Sequence, residues 1–152
     1  MKFTILYVGK TASKEISELT TSYLGRIKFR AIDVKIITNL KKNYTKDMQR
    51  QLEGEKILCN IKADDYVVLL DDKGKEFTSL EFAAWIENRQ MAGKNVVFII
   101  GGAFGFSKEV YARQNFILSL SRMTFSHQII RAIFAEQLYR AFSIINNEPY
   151  HH

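Results

Sequence analysis

Short apolar segments alternate with helical patterns along this chain, and the alternation constrains its fold more than any other feature. The apolar segments are rich in β-forming residues, and they cover residues 3–8, 32–38, 66–70, 96–100 and 115–121. Between them, apolar residues recur three and four positions apart, as they do along one face of a helix. This order predicts an α/β fold with a mostly parallel sheet covered by helices on both faces.

Residues that favour helix N-termini precede the helical patterns. Ser13, Thr45, Ser107 and either Thr78 or Ser79 are the predicted caps. The last pattern, 127–145, would be about 28 Å long. Its apolar residues cover more than one face, which predicts burial against its own sheet and against another subunit.

The length and composition are those of one globular domain spanning residues 1–152. No apolar run reaches the length of a membrane-spanning helix, and the first strand lacks the cleavage-site pattern of a signal peptide. The single cysteine, Cys59, excludes an intrachain disulfide and a cysteine metal cluster. We therefore expect a cytoplasmic protein that uses no metal and no membrane.

The positive charge of the chain lies in its first third. Residues 1–56 hold 12 Lys and Arg against 6 Asp and Glu, whereas residues 57–152 hold 10 of each. The basic residues are densest between Arg26 and Arg50, where Lys41, Lys42 and Lys46 are among them. Two interpretations remain open, a solvated basic surface and a patch that contacts phosphates.

A glycine turn, Gly101-Gly102-Ala103-Phe104-Gly105, follows the apolar segment 96–100. Ala103 and Phe106 occupy two glycine positions of the dinucleotide fingerprint, and no Gly-Lys-Ser/Thr follows, so neither a Rossmann nor a Walker A site is indicated. A tight turn at which the backbone closely approaches a ligand remains, as does a plain strand-to-helix turn.

The segment from Leu120 to Phe125 joins the end of an apolar segment to the last helical pattern. Ser121 and Thr124 can bond a ligand directly, and the backbone of the turn can contact an adenine edge. Alternatively, the segment is only a helix N-terminal loop capped by Thr124 or Ser126. In open α/β sheets, ligands lie at such loops beyond the carboxyl ends of the strands.

Several segments of the chain, in their order along it, resemble those of the ribosomal large-subunit methyltransferase H family within the knotted SPOUT methyltransferases. The resemblance covers essentially the whole chain, and two departures from it are Ser126, where proline is common, and His152, where a longer basic side chain is frequent. The matching segments are 8–10, 70–75, 98–102 with Gly105, 118–125 with His127 and Gln128, 136–141 and 149–151.

The resemblance implies S-adenosylmethionine bound in a C-terminal trefoil knot, the SPOUT α/β-knot, and a homodimer built on the knotted region. It also implies methylation at N3 of a pseudouridine in helix 69 of 23S rRNA, on assembled ribosomes. Carried over residue by residue, the cofactor site comprises Leu70, Gly101, Gly102, Leu120, Ser121, Arg122, Met123, Thr124 and Phe125.

The expected chemistry needs a group that handles the proton on N3. His151 is the candidate base, and Tyr150 and Arg140 would position the flipped base. Alternatively, Arg140 stabilises the imide anion, or its pairing with Glu136 four residues earlier is only structural. The competing function is a non-catalytic ribosome-binding or RNA-binding module. It explains the basic first third of the chain but leaves the glycine turn and the Leu120 to Phe125 segment without a function.

Overall fold

A computed structural model gives the fold, and it describes residues 1–28, 30–38 and 43–152. Within these residues, strands and helices alternate in the order that the sequence predicts. The elements are β1 (Phe3–Val8), α1 (Lys14–Gly25), β2 (Ile32–Ile37), α2 (Lys46–Cys59), β3 (Tyr66–Lys75), α3 (Ser79–Ala92), β4 (Val96–Ile100), α4 (Lys108–Arg113), β5 (Phe116–Leu118) and α5 (Ile129–Ile145).

The sheet is parallel throughout the described residues, with strand order β2-β1-β4-β3-β5. Both β1 and β3 pair with the central strand β4, and Val96 lies opposite Phe3 on one side and Tyr66 on the other. Because the strands are parallel, their carboxyl ends meet at one edge. The loops that follow β3, β4 and β5 therefore come together there.

Helices cover both faces of the sheet, as predicted. Alternate residues of β4 point to opposite faces, so Phe98 packs with α1, α3 and α5 while Ile99 packs with α2 and α4. The first face is rich in aromatic side chains, and the Phe98 and Phe134 rings lie 4.9 Å apart. Burial of these apolar faces holds the helices on the sheet.

The predicted helix caps are confirmed. The hydroxyls of Ser13, Thr45 and Ser107 each accept a hydrogen bond from the backbone N–H three residues later. Thr78 does the same for α3, and the Glu81 carboxylate accepts a hydrogen bond from the Thr78 N–H, which completes a capping box.

Two predictions about β3 and β5 were wrong. The predicted strand 66–70 is too short, because β3 continues to Lys75 through an irregularity, so that both Leu70 and Lys75 pair with Leu118. The predicted strand 115–121 is shortened to Phe116–Leu118. Beyond it, the Ser119 hydroxyl donates to the Ser121 carbonyl, and such local bonds compete with a strand ladder.

Helix α5 begins two residues later than predicted, at Ile129, whose N–H donates to the Ser126 hydroxyl at 3.1 Å. It packs between α1 and α3 as well as over the sheet. These intrachain partners explain why apolar residues cover more than one face of α5. The apolar faces therefore do not by themselves require a second subunit. The trefoil knot stays a prediction.

Candidate active site

A cavity of about 450 Å³ opens at the carboxyl edge of the sheet, where the loops after β3, β4 and β5 converge. Its volume is in the range of small-molecule sites, and its position is the usual ligand position of open α/β sheets. The predicted cofactor residues that line it are Leu70, Gly101, Gly102, Leu120, Ser121, Met123, Thr124 and Phe125.

Arg122 is the one predicted cofactor residue whose side chain does not line this cavity. This side chain is 91% exposed, and its Nε lies 3.9 Å from a carboxylate oxygen of Glu76. A local hydrogen bond explains why the Arg122 side chain points away from the cavity. The Ser121 hydroxyl accepts a hydrogen bond from the Met123 N–H, which tightens the chain into a turn around Arg122. A role for Arg122 in cofactor binding stays a prediction.

Two acidic residues that line the cavity, Asp71 and Asp72, were not predicted as site residues. Burial opposes the charge of Asp71, but hydrogen bonds from the Tyr111 hydroxyl and the Lys73 N–H outweigh it and lower the pKa of this carboxyl. The Thr124 hydroxyl donates to Asp72 at 3.0 Å and so ties the loop after β5 to β3. The signal was present, because both aspartates directly follow a buried apolar run.

His127 also lines the cavity and was not predicted as a site residue. Burial, reinforced by the nearby positive charge of Arg131, lowers the pKa of its imidazole below the ordinary value of 6.5. The ring is therefore neutral at pH 7.

Arg131 is fully buried and clamps the start of α5 to the end of β1. Its guanidinium donates to the carbonyls of Val8, Gly9 and His127 and to the Thr11 hydroxyl, at 2.9–3.1 Å. All of these partners belong to the protein itself, so the guanidinium serves the fold. It thereby fixes the helix that supplies one wall of the cavity.

The two glycines of the turn after β4 are packed tightly from the protein side. A Cβ on Gly101 would lie 3.0 Å from the ring of Phe106, and one on Gly102 would lie 2.9 Å from Oε2 of Glu53. The first distance is tighter than most real Cβ contacts, and the second would force the Glu53 carboxylate to move. Glycine therefore relieves crowding behind the turn, and both glycines also line the cavity.

The three predicted catalytic residues lie together at the other end of α5. Arg140 binds Glu136 Oε1 at 2.6 Å, its Nη1 lies 3.4 Å from Nδ1 of His151, and its guanidinium stacks 4.7 Å from the Tyr150 ring centre. The Tyr150 hydroxyl also donates to Glu136, at 3.0 Å. Burial and bonding with Tyr23 and Glu136 raise the pKa of Tyr150, so this phenol stays protonated.

The cavity and this C-terminal cluster (Glu136, Arg140, Tyr150 and His151) are separate within one chain. Ile130 lines the cavity, and Arg140 follows it by ten residues, which is about 15 Å along a helix. The structure thus brings together the predicted cofactor residues and, elsewhere, the predicted catalytic residues.

The sequence model of a family described as "Predicted SPOUT methyltransferase" matches residues 1–151. The chain belongs to the SPOUT methyltransferase family. Membership confirms the predicted enzyme class, a methyltransferase with S-adenosylmethionine as its cofactor. The trefoil knot is the topology that this family implies.

Similar proteins share the length of this methyltransferase. One, from Phocaeicola vulgatus, is 50% identical, covers 100% of this chain and 99% of its own length, and is named Ribosomal RNA large subunit methyltransferase H. A protein of the same name from Christiangramia forsetii is 46% identical with the same coverage. These relatives confirm the resemblance drawn from the sequence motifs.

A solved structure supports the fold independently. A probable methylase family protein from Haemophilus influenzae superimposes with a TM-score of 0.55 at 12% identity, over 99% of this chain and 70% of that chain. At this identity the likeness concerns the fold alone. Within the described residues, no helix is long and apolar enough to span a membrane, and no group of three His, Cys, Asp or Glu is placed to hold a metal ion.

Proposed function

We propose that this methyltransferase transfers a methyl group from S-adenosylmethionine to N3 of a pseudouridine in helix 69 of 23S rRNA, on assembled ribosomes in the cytoplasm. The names of its full-length relatives support a large-subunit rRNA substrate. The pseudouridine and helix 69 come from the motif resemblance. The observation that carries the proposal is the cavity at the carboxyl edge, built from the loops that the resemblance assigns to the cofactor.

The residues around the cavity fit this cofactor. Apolar side chains such as Leu70 and Leu120 and the backbone of the glycine turn suit an adenine ring. Two carboxylates, Asp71 and Asp72, complement the positive charge of the sulfonium and the ammonium group. No lysine or arginine side chain is among the described residues that line the cavity.

When bound, the cofactor supplies an activated methyl group, so the protein mainly orients the reactants and excludes water. The N3 proton still has to leave. His151 Nδ1 faces an Arg140 N–H at a long distance of 3.4 Å, and release of this contact frees the nitrogen to accept a proton. Alternatively, Arg140 remains in place and stabilises the imide anion with its charge.

We propose a homodimer in which the C-terminal cluster of one subunit faces the cavity of the other. The separation of about 15 Å along α5 keeps the two sites of one chain apart. Exposed apolar side chains that line the cavity favour coverage by a partner, since Met123 is 75% exposed and Phe125 is 37% exposed. A single domain spanning 1–152 then contributes to two composite sites.

Mixed dimers test this arrangement. Gly101→Val damages only the cavity and His151→Ala damages only the cluster, so each homodimer should be inactive. Co-refolded mixtures should regain up to about a quarter of parental activity, because half of the dimers are mixed and each mixed dimer keeps one intact composite site. No recovery in dimers proven mixed by light scattering and mass spectrometry would place both sites in one chain.

Described residues of the basic region lie beside the C-terminal cluster and beside the glycine turn at the cavity. Arg26 stacks 5.1 Å from the ring centre of Tyr23, whose neighbour is the C-terminal cluster. Lys46 lies 5.7 Å from the Phe104 ring, and Arg50 Nε donates to the Phe104 carbonyl in the glycine turn. This placement supports phosphate contacts near the chemistry. Lys41 and Lys42 lie outside the described residues.

Transfer of labelled methyl from S-adenosylmethionine tests the proposed function. We expect incorporation into assembled ribosomes that lack the modification, and little into ribosomes that already carry it. His151→Ala should bind S-adenosylmethionine normally and transfer far less label. If the protein binds ribosomes but transfers no methyl group, the competing function of a non-catalytic RNA-binding module is correct.

A further inference from the structure

A buried carboxylate lies directly behind the glycine turn. Glu53 of α2 is only 4% exposed, and its Oε1 accepts a hydrogen bond from Gln49 Nε2 at 3.0 Å. Among the described residues, its Oε2 has no hydrogen-bond partner. That oxygen lies next to Gly102, which lines the cavity, and a Cβ on this glycine would come within 2.9 Å of it.

The charge of Glu53 reaches the cavity across the turn. It acts on His127, which lines the cavity, and there it partly offsets the lowering of the imidazole pKa by burial and by Arg131. An unpaired carboxylate oxygen in a buried setting is costly unless a positive group compensates it. Neither Gln49 nor Gly102 carries a charge, so the compensation has to come from another group.

The surroundings add negative charge and little positive charge. Asp71 and Asp72 line the cavity, while His127 is neutral at pH 7. The buried cation Arg131 is already engaged by three carbonyls and the Thr11 hydroxyl. Arg50 of α2 faces the Phe104 carbonyl instead.

We propose that Glu53, assisted by Asp71 and Asp72, is a specificity-determining residue that makes the cavity select the positively charged cofactor over its neutral product. The inference rests on the proposed use of S-adenosylmethionine. Loss of the methyl group converts the sulfonium to the thioether of S-adenosylhomocysteine and removes one positive charge. The carboxylates then attract only the ammonium group of the product, so the product is held less tightly than the cofactor and leaves more readily.

Calorimetry with three probes tests this selection. S-adenosylmethionine and sinefungin carry a positive charge at the reacting position, whereas S-adenosylhomocysteine does not. The parent should bind both cationic ligands more tightly than the neutral one. Glu53→Gln, which keeps the shape and removes the charge, should weaken both cationic ligands about tenfold, the order expected for one charge acting over several ångströms. Its affinity for S-adenosylhomocysteine should change less than about twofold.

Two controls accompany the substitution. Glu55→Gln removes the same charge from an exposed position two residues along α2 and should leave all three affinities unchanged. Asp72→Asn should shift the three affinities in the same direction as Glu53→Gln but less, because Asp72 is exposed and screened. A thermal melt without ligand shows whether Glu53→Gln folds. If it does not fold, two other results decide the matter: the change in the three affinities caused by Asp72→Asn, and a fall with salt in the parent's preference for cationic ligands.

Three results would overturn the proposal. They are a parent that binds S-adenosylhomocysteine at least as tightly as S-adenosylmethionine, a Glu53→Gln variant that loses all three ligands equally, and one that loses none. Any of them leaves the rRNA activity standing if methyl transfer to ribosomes is observed. Conversely, charge-selective binding without methyl transfer would contradict the proposed function and leave the selection intact.

Discussion

Glu136 and Arg140 form a close ion pair across one turn of α5, with 2.6 Å between Glu136 Oε1 and Arg140 Nη2. The Tyr150 hydroxyl shares the same carboxylate oxygen, and His151 lies against the other side of the guanidinium. Both members of the pair are more than two thirds buried. The pair therefore fixes the orientation of the three residues that we assign to chemistry.

The first prediction concerns this orienting carboxylate. Glu136→Gln should leave S-adenosylmethionine affinity unchanged and lower kcat by about ten- to a hundredfold, because misplacement of reacting groups is costly. Steady-state kinetics with ribosomes measures it. Glu18→Gln breaks an exposed i,i+4 pair with Lys14 and should have no effect. Equal kcat values for the two variants would show that the Glu136 pair is only structural.

The second prediction concerns the glycine turn. Gly101→Val should abolish S-adenosylmethionine binding, because the added side chain displaces Phe106 and the turn that lines the cavity. We expect a stability loss of about 1–3 kcal/mol from overpacking, with the fold retained. Calorimetry and urea unfolding measure the two effects. Gly25→Ala, at a position with open space, is the matched control. Undiminished binding by Gly101→Val would place the ligand elsewhere.

The third prediction concerns the buried guanidinium of Arg131. Arg131→Met should destabilise the fold by at least about 3 kcal/mol, because several buried acceptors lose their donor together. Arg131→Lys keeps the charge but not the planar fork, so it should recover only part of this loss. Denaturant unfolding gives both values. A stability within error of the parent would contradict the clamp between α5 and β1.

The fourth prediction concerns the basic region. Reversing the charges of Lys41, Lys42 and Lys46 should raise the Michaelis constant for ribosomes and leave S-adenosylmethionine affinity nearly unchanged. Phosphate contacts release counterions, so the parental constant should rise steeply with salt, and the variant should show a shallower slope. Measurements at two salt concentrations decide it. An unchanged constant and slope would mean that these lysines are a solvated surface.

Much of the fold could be predicted because its signals are local. Ser13, Thr45 and Ser107 cap helices within three residues of themselves, and the all-apolar run of β4 marks a strand buried on both faces. The continuation of β3 to Lys75 could not be predicted, because it depends on pairing with Leu118, far along the chain. Gly74 allows this close pairing of β3 and β5, since a Cβ there would lie 2.7 Å from the Ile117 backbone.

The site could be predicted only in part, for the same reason. Leu120 to Phe125 and the glycine turn are contiguous motifs, and most of their residues line the cavity. Glu53 stands in the middle of a helix, and nothing near it in sequence points to Gly102. The separation of the C-terminal cluster from the cavity follows from the course of α5, which no motif records.

Mass mapping of the helix 69 fragment of 23S rRNA tests the central claim most directly. Ribosomes from a strain that lacks the gene should carry an unmethylated pseudouridine there. Incubation with the parent protein and S-adenosylmethionine should add one methyl group at N3 of that nucleotide, while His151→Ala should add almost none. A fragment that stays unmethylated with the parent, or a methyl group found at another nucleotide, would contradict the proposed function.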